Sequence, residues 1–453
     1  MADLPPPPTG SKIGWLLALA AALWAHPLTA QEPARVDLRE LLRRAEVHHP
    51  EVAVARAERD SARAGEDLAR WTRLSPRLAS TSVFGLVPGA RGDIFDSPDT
   101  ARDLNDLGPF WRTRLDLGLP LYTFGALGAS QRAAHALVGS REARTEAKLN
   151  AARLQAARAY FGHLLAQDQL SLLAEVRAHL ERLLDSLDRS EEQDPLDVYK
   201  ARGYGFELDR LESEVRRAQR LAAAGLRELA GEAAQPVADH LPSLAAELPD
   251  LEPALREAMA SQPELREAEL AAEARALLAE AARKERLPAL GVEGRFEYSE
   301  APGRARQSNP FAYDPFNARS LTAALGLRLD LNFKQTGARA RREAAEAEVQ
   351  RAKAQAARVR LRLELSDLHA GLREAQGIAE AGRRAFSTAA NWLRLAEENH
   401  GLDAASTKDV IEAYAAYVQS RAAHLKATHD LDLAVIAWRL ACGRPPLEEG
   451  ESP

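Results

Sequence analysis

Trp111-Arg112-Thr113-Arg114-Leu115-Asp116-Leu117-Gly118-Leu119-Pro120-Leu121-Tyr122 changes character at nearly every step. In an extended chain Trp111, Thr113, Leu115, Leu117, Leu119 and Leu121 share one face, and Arg112, Arg114, Asp116 and Gly118 share the other, because successive strand side chains point to opposite sides. The pattern returns downstream. Leu321, Ala323, Leu325, Leu327, Leu329, Leu331 and Phe333 oppose Thr322, Gly326, Arg328, Asp330 and Asn332, while Leu290, Val292, Phe296 and Tyr298 oppose Glu293, Arg295 and Glu297. A fourth and weaker strand is expected near Leu78 to Val87. Strands of about 10 to 13 residues, apolar outside and charged inside, suit a tilted membrane barrel better than a buried sheet. Arg112, Arg114, Asp116, Glu293, Arg295, Glu297, Arg328 and Asp330 are the candidate lining of a hydrated lumen, with an amphipathic surface sheet in a soluble protein as the alternative.

Between the paired strands lie Pro88 to Pro109 and Ala301 to Arg319, rich in Pro, Gly, Asp and Asn, with Phe95, Phe311, Tyr313 and Phe316 interspersed. They read as long loops at one membrane face. Four strands do not close a barrel, whereas three copies supply twelve, so the strand count implies a homotrimer.

Further out, the chain repeats itself. Pro76 and Pro288, Gly125 and Gly337, and Gly231 and Gly443 are each 212 positions apart. Leu38-Arg39-Glu40 running to His49-Pro50-Glu51-Val52 is echoed by Leu255-Arg256-Glu257 running to Gln262-Pro263-Glu264-Leu265, and each opens a helical segment. Pro76 and Pro288 stop those helices and force extended backbone before them. After Gly125 and Gly337 come proline-free, Ala- and Arg-rich runs of about 65 residues, which as helices approach ~100 Å. Tyr160 and Phe161 within the first are expected to pack internally. Turns at Asp194-Pro195 and after Gly401 send helices back over Val198 to Ala230 and Lys408 to Ala441, and Gly231 and Gly443 end them. The expected fold is mainly α with a membrane β-barrel portion: a duplicated unit of helix, strand, strand, long helix and returning helix, giving four strands per protomer, a twelve-stranded trimeric barrel and a helical tunnel. The divisions are 1–30, 31–231 (first repeat), 232–252 (connection), 253–443 (second repeat) and 444–453 (tail).

Lys12 followed by the apolar run Ile13 to Ala25 reads as a secretory signal peptide with cleavage near Ala30. The single cysteine, Cys442, leaves no intrachain disulfide, and none stands near Ala30 to carry a lipid. The 453 residues are 46% hydrophobic and 28% charged but only 6% aromatic, a mix suited to long, closely packed helices. A net charge of −6 argues against a nucleic-acid partner, which demands a concentrated basic face.

Taken in order, these pieces resemble the TolC-like outer-membrane efflux proteins over nearly the whole chain after residue 30. The resemblance is carried by Leu41 to Glu51 and Ala258 to Glu264 at the repeat openings, by Leu119-Pro120-Leu121-Tyr122 followed by Gly125, and by Trp392-Leu393-Arg394-Leu395-Ala396-Glu397-Glu398 leading to Asp409-Val410. It implies a trimer whose barrel sits among outer-membrane lipids and whose helices project into the periplasm. A periplasmic adaptor and an inner-membrane pump would be its partners in a tripartite efflux or type I secretion system, and the chain would be a passive conduit with no cofactor.

Asp409 and Glu412 lie three apart at the start of a returning helix, and threefold symmetry would make them a ring of carboxylates at the periplasmic entrance. Such a ring resembles the acidic constriction of the family. The alternative is that Asp409 complements the helix N-terminus and Glu412 is solvated. Asp197, with Lys200 beside it, holds the corresponding place in the first half and is the lesser candidate. There is no glycine-rich phosphate loop, no zinc-protease pattern and no nucleophile elbow; His48-His49 and the pair His424 and His429 lack ligand spacing. The rival reading is a periplasmic coiled-coil adaptor or structural protein without a pore, which would carry one hairpin rather than two with strand pairs inside each repeat.

Overall fold

The computed structural model describes residues 34–91, 101–189, 195–231, 234–244, 248, 250–306, 313–400, 402, 404 and 406–448. Expectations placed on 1–30, Phe95, Phe311, Asp194, Gly401 and the last residues of the tail lie outside the described residues, as do the side chains of Asp197 and Lys200. The first half runs β1 (Ala34–Val36), α1 (Leu38–His48), α2 (Pro50–Leu74), β2 (Arg77–Arg91), β3 (Ala101–Tyr122), α3 (Ala126–Arg189) and α4 (Pro195–Ala230). In the second half the same order returns as β4 (Ala234–Pro236), α5 (Leu251–Ser261), α6 (Pro263–Lys284), β5 (Ala289–Glu300), β6 (Arg319–Arg328), α7 (Phe333–His400) and α8 (Thr407–Ala441).

Each opening segment, expected as one helix, is two. The residue before a proline is pushed out of the helical region, and His49 (φ −66°, ψ 123°) and Gln262 (φ −67°, ψ 120°) are extended accordingly. Pro50 and Pro263 then start the next helices, where a missing N–H costs nothing. The helices α3 and α7 run unbroken for 64 and 68 residues. At ~1.5 Å per residue each spans roughly 100 Å. Along them α4 and α8 fold back, while α2 and α6 flank α3 and α6 also packs on α7. Gly231 and Gly443 end the returning helices with left-handed backbone, φ 77° and 73°. A Cβ on Gly231 would stand 2.9 Å from the His48 ring and one on Gly443 2.7 Å from Ser261 Oγ, so both positions demand glycine twice over.

The core lies midway along the long helices. There α1, α5, the ends of α4 and α8 and the short strands wrap Tyr160, Phe161, Leu164, Leu365, Leu372 and Ile436. Tyr160 and Phe161 are buried edge to face at 5.8 Å, as expected of a packing pair. The chain between the halves is fastened rather than loose: β1 and β4 pair in parallel, Asp168 accepts from His240 Nδ1 (2.7 Å) and Leu241 N (3.0 Å), and buried Asp432 accepts from Leu244 N (2.8 Å). The imidazole beside Asp168 is held above the usual histidine range by that hydrogen bond and the carboxylate's charge. Burial pushes the Cys442 thiol up to about 11, so it stays protonated at neutral pH. Among the described residues no helix is long and apolar enough to cross a membrane.

Candidate functional site

The four long strands form one antiparallel sheet in the order β2-β3-β5-β6. The first hairpin is longer than its sequence suggests. β2 has 15 residues and β3 has 22, and their pairing continues past Pro88 through a register shift at Pro88/Gly89 to Arg91 opposite Ala101. The expected loop from Pro88 to Pro109 is therefore mostly strand. Pro88 is tolerated because β2 is an edge strand, and Pro109 because β5 reaches only to Trp111. The second hairpin is shorter than expected: β6 stops at Arg328. Asp330 thus leaves the candidate lumen set, since its carboxylate accepts from Asn332 N (2.9 Å) in the turn leading into α7. Gly337 lies inside α7, four residues past its start at Phe333.

The other seven predicted lumen residues share one face. Register places Arg114 opposite Glu297 and Asp116 opposite Arg295, and the side chains close on each other: Arg114 Nη2 to Glu297 at 3.0 Å, Arg295 Nε to Asp116 at 2.7 Å, and Arg328 Nη2 to Glu293 at 3.0 Å. Arg112 Nε stands 3.8 Å from Glu297, whose carboxylate therefore faces two guanidinium groups. Cross-strand pairs of this kind help to fix register. Where exposed they add little stability, so they are not what keeps the sheet together.

The opposite face is greasy and uncovered. Leu321 is 80% exposed, Phe84 73% and Leu325 72%. Leu119, Val292 and Leu325 stand abreast, as do Leu115, Phe296 and Leu321. A register shift between Pro120 and Tyr122 leaves Leu121 without a ladder partner and sets Tyr122 opposite Leu290, so Tyr122 joins the apolar face. Aromatics mark both ends, a signal the sequence carried and the alternation alone did not pick out. Phe84 stacks on Trp111 (6.1 Å), which meets Tyr298 edge-on (5.6 Å), and at the helix end Tyr122 meets Phe124 (4.7 Å). From Trp111 to Tyr122 the strand covers roughly 36 Å, or about 28 Å along the normal at a 40° tilt, close to the ~25 Å apolar band of a membrane barrel.

At the far end of the helices, Asp409 is the third residue of α8 and closes a capping box. Its carboxylate accepts from Ser406 N (2.9 Å) and Ser406 Oγ (2.6 Å), which holds it below the usual carboxylate range. Glu412, one turn on, faces Lys408 at 3.7 Å and both side chains are exposed. The structure thus brings Asp409 and Glu412 to one helix start. Among the described residues no group of three or more His, Cys, Asp or Glu side chains is arranged to hold a metal ion.

A two-faced sheet set on helical hairpins of this length has close counterparts among solved structures. The chain superposes on CusC, described for conformational changes accompanying folding and transmembrane channel formation, with a TM-score of 0.73, 17% identity and 91% and 93% of the two chains covered. On the outer-membrane channel OprN the values are 0.74, 17%, 93% and 96%, and on the Neisseria gonorrhoeae outer-membrane channel MtrE 0.72, 16%, 90% and 89%. The chain has the fold of these outer-membrane channels. At such identities the likeness speaks for the fold. No protein-family model matches the sequence, and no curated protein matches it.

Proposed function

We propose that three copies of this chain close a twelve-stranded barrel in the outer membrane and continue it as a helical tunnel through the periplasm, a passive conduit for export. The single observation that carries this reading is the sheet itself: seven charged side chains on one face, bare leucines and phenylalanines on the other, and an open edge on β2 and on β6. In hydrocarbon an unpaired edge leaves backbone groups without partners, so the sheet becomes admissible only when β6 of one copy meets β2 of the next. In this reading residues 1–30 direct export, 31–231 and 253–443 are the two repeats joined by 232–252, and 444–453 is a tail. A periplasmic adaptor and an inner-membrane pump supply docking and energy.

Asp409 and Glu412, with Asp197 as a lesser contributor, form the gate of this proposal. In planar bilayers, Asp409→Ala combined with Glu412→Ala raises single-channel conductance and weakens block by divalent cations. Asp409→Asn, which removes the charge and leaves a side chain able to hydrogen-bond Ser406, separates gating from capping. Unchanged conductance and unchanged cation block would remove the gate assignment and leave the carboxylate as a helix cap.

A further inference from the structure

Residues 301–306 and 313–318, between β5 and β6, do not stand away from the sheet. Phe110, Arg112 and Ser299 belong to the charged face, because Arg112 pairs with Ser299 one step beyond the Arg114 and Glu297 pair and Phe110 lies two residues before Arg112. Residues 314–317 lie on these side chains. Arg112 Nη2 donates to Pro315 O (2.7 Å), and Ser299 Oγ donates to the same oxygen (3.0 Å). The Phe316 ring meets Phe110 edge-on at 5.2 Å and carries two guanidinium groups, Arg112 at 5.7 Å and Arg304 at 5.1 Å.

Two further ties hold the segment. Arg304 pairs with Asp314 at 3.1 Å with both side chains nearly buried, and its Nη1 donates to Pro88 O at 2.5 Å. Ala305 N donates to Ala90 O (2.9 Å), and Asn317 Oδ1 accepts from Ala301 N (2.8 Å). A buried ion pair holds its place strongly once formed, because losing one partner strands the other charge. The segment therefore covers the charged face at the end of the sheet away from the helices, with Ser299 buried beneath it and Asp314 buried within it.

We infer that residues 314–317 are an inward strap that narrows the outer mouth of the channel and sets the girth of the solute allowed to leave, with Phe316, held by Arg112 and Arg304, as its anchor. This rests on the reading of the charged face as the lumen. Three straps would ring the mouth, making it a second filter independent of the one at the periplasmic tips. The test is polymer exclusion with the full chain in planar bilayers, adding neutral polyethylene glycols of increasing size to the loop side only, so that the size cutoff reports that mouth and not the far end. Arg304→Gln with Phe316→Ala should shift the cutoff to larger polymers and raise conductance. As a second arm that leaves the anchor intact, exposed Tyr313 replaced by cysteine and coupled from the loop side to a bulky maleimide should lower conductance; native Cys442 is buried and gives the unreacting control. An unchanged cutoff together with no effect of the maleimide adduct would overturn the strap. Absence of any channels from the unaltered protein would instead overturn the channel reading on which it rests.

Discussion

The sheet and the helical middle of this molecule are built inside out with respect to each other. At the helical middle Leu38, Leu41, Tyr160, Phe161 and Ile436 are sealed from solvent, and arginines and glutamates pair on the outside, as in Arg43 with Glu40 and Arg444 with Glu257. In the sheet the leucines and phenylalanines are bare, and the arginines and carboxylates face one another across the strands. In the proposed channel one chain thus meets two solvents. The hydrophobic effect drives the middle to fold in water, whereas the sheet's apolar face is stabilised only when lipid replaces water against it.

The comparison breaks most sharply at the core. Phe161→Ala should cost about 3–5 kcal/mol in the helical middle, as for other large aromatic truncations in sealed cores. Limited proteolysis of the detergent-solubilised protein would show it as new cleavage near α1 and α5; an unchanged digest would mean the middle is not the stabilising centre.

On the sheet, the effect of a charge should depend on face alone. Leu321→Arg, on the bare apolar side, should cost up to about 2–4 kcal/mol if it lies near the bilayer midplane. Ser320→Arg, its neighbour on the charged side and opposite Glu297, should be nearly neutral. Yield of folded protein in the outer-membrane fraction reads both. Equal effects would erase the distinction between the faces.

The smallest effect concerns pH. Near the tips His179 of α3 stacks on Tyr414 of α8 (3.9 Å), and His424 of α8 stacks on Phe386 of α7 (5.6 Å). Burial pushes both imidazoles below the usual histidine range; Arg182 and Arg383 act the same way, while Glu397 and Glu175 oppose the shift at His179. A histidine with a depressed folded-state pKa leaves the unfolded chain holding more protons between the two values. Their contribution is therefore fully present above pH ~6.5 and is lost as pH falls below it toward the folded-state values. Thermal melts of the solubilised protein should drop between pH 7.5 and pH 5, and His179→Gln with His424→Gln should flatten that slope. An identical slope in the double variant would assign the pH response elsewhere.

Much of this architecture was legible from the sequence, for reasons that are local. Strict alternation from Arg112 to Leu119 fixes faces without knowledge of the neighbours, and Gly231 and Gly443 announce helix ends because their backbone is left-handed. What failed depended on partners. Pro88 and Pro109 look like loop residues until the strand order shows each beside an unpaired edge. Asp330 continues the alternation perfectly in sequence, yet β6 ends two residues before it, and its carboxylate caps a turn. The strap was invisible because Arg304, Asp314 and Phe316 are ordinary loop residues until tertiary folding sets them against Arg112 and Phe110.

Whether the strand pairs join into a closed pore is tested most directly by mass. The full chain, extracted from outer membranes in mild detergent and measured by light scattering with the detergent mass subtracted, should give three copies per particle, and the membrane-bound protein should resist a carbonate wash. A single copy that carbonate removes would contradict the account.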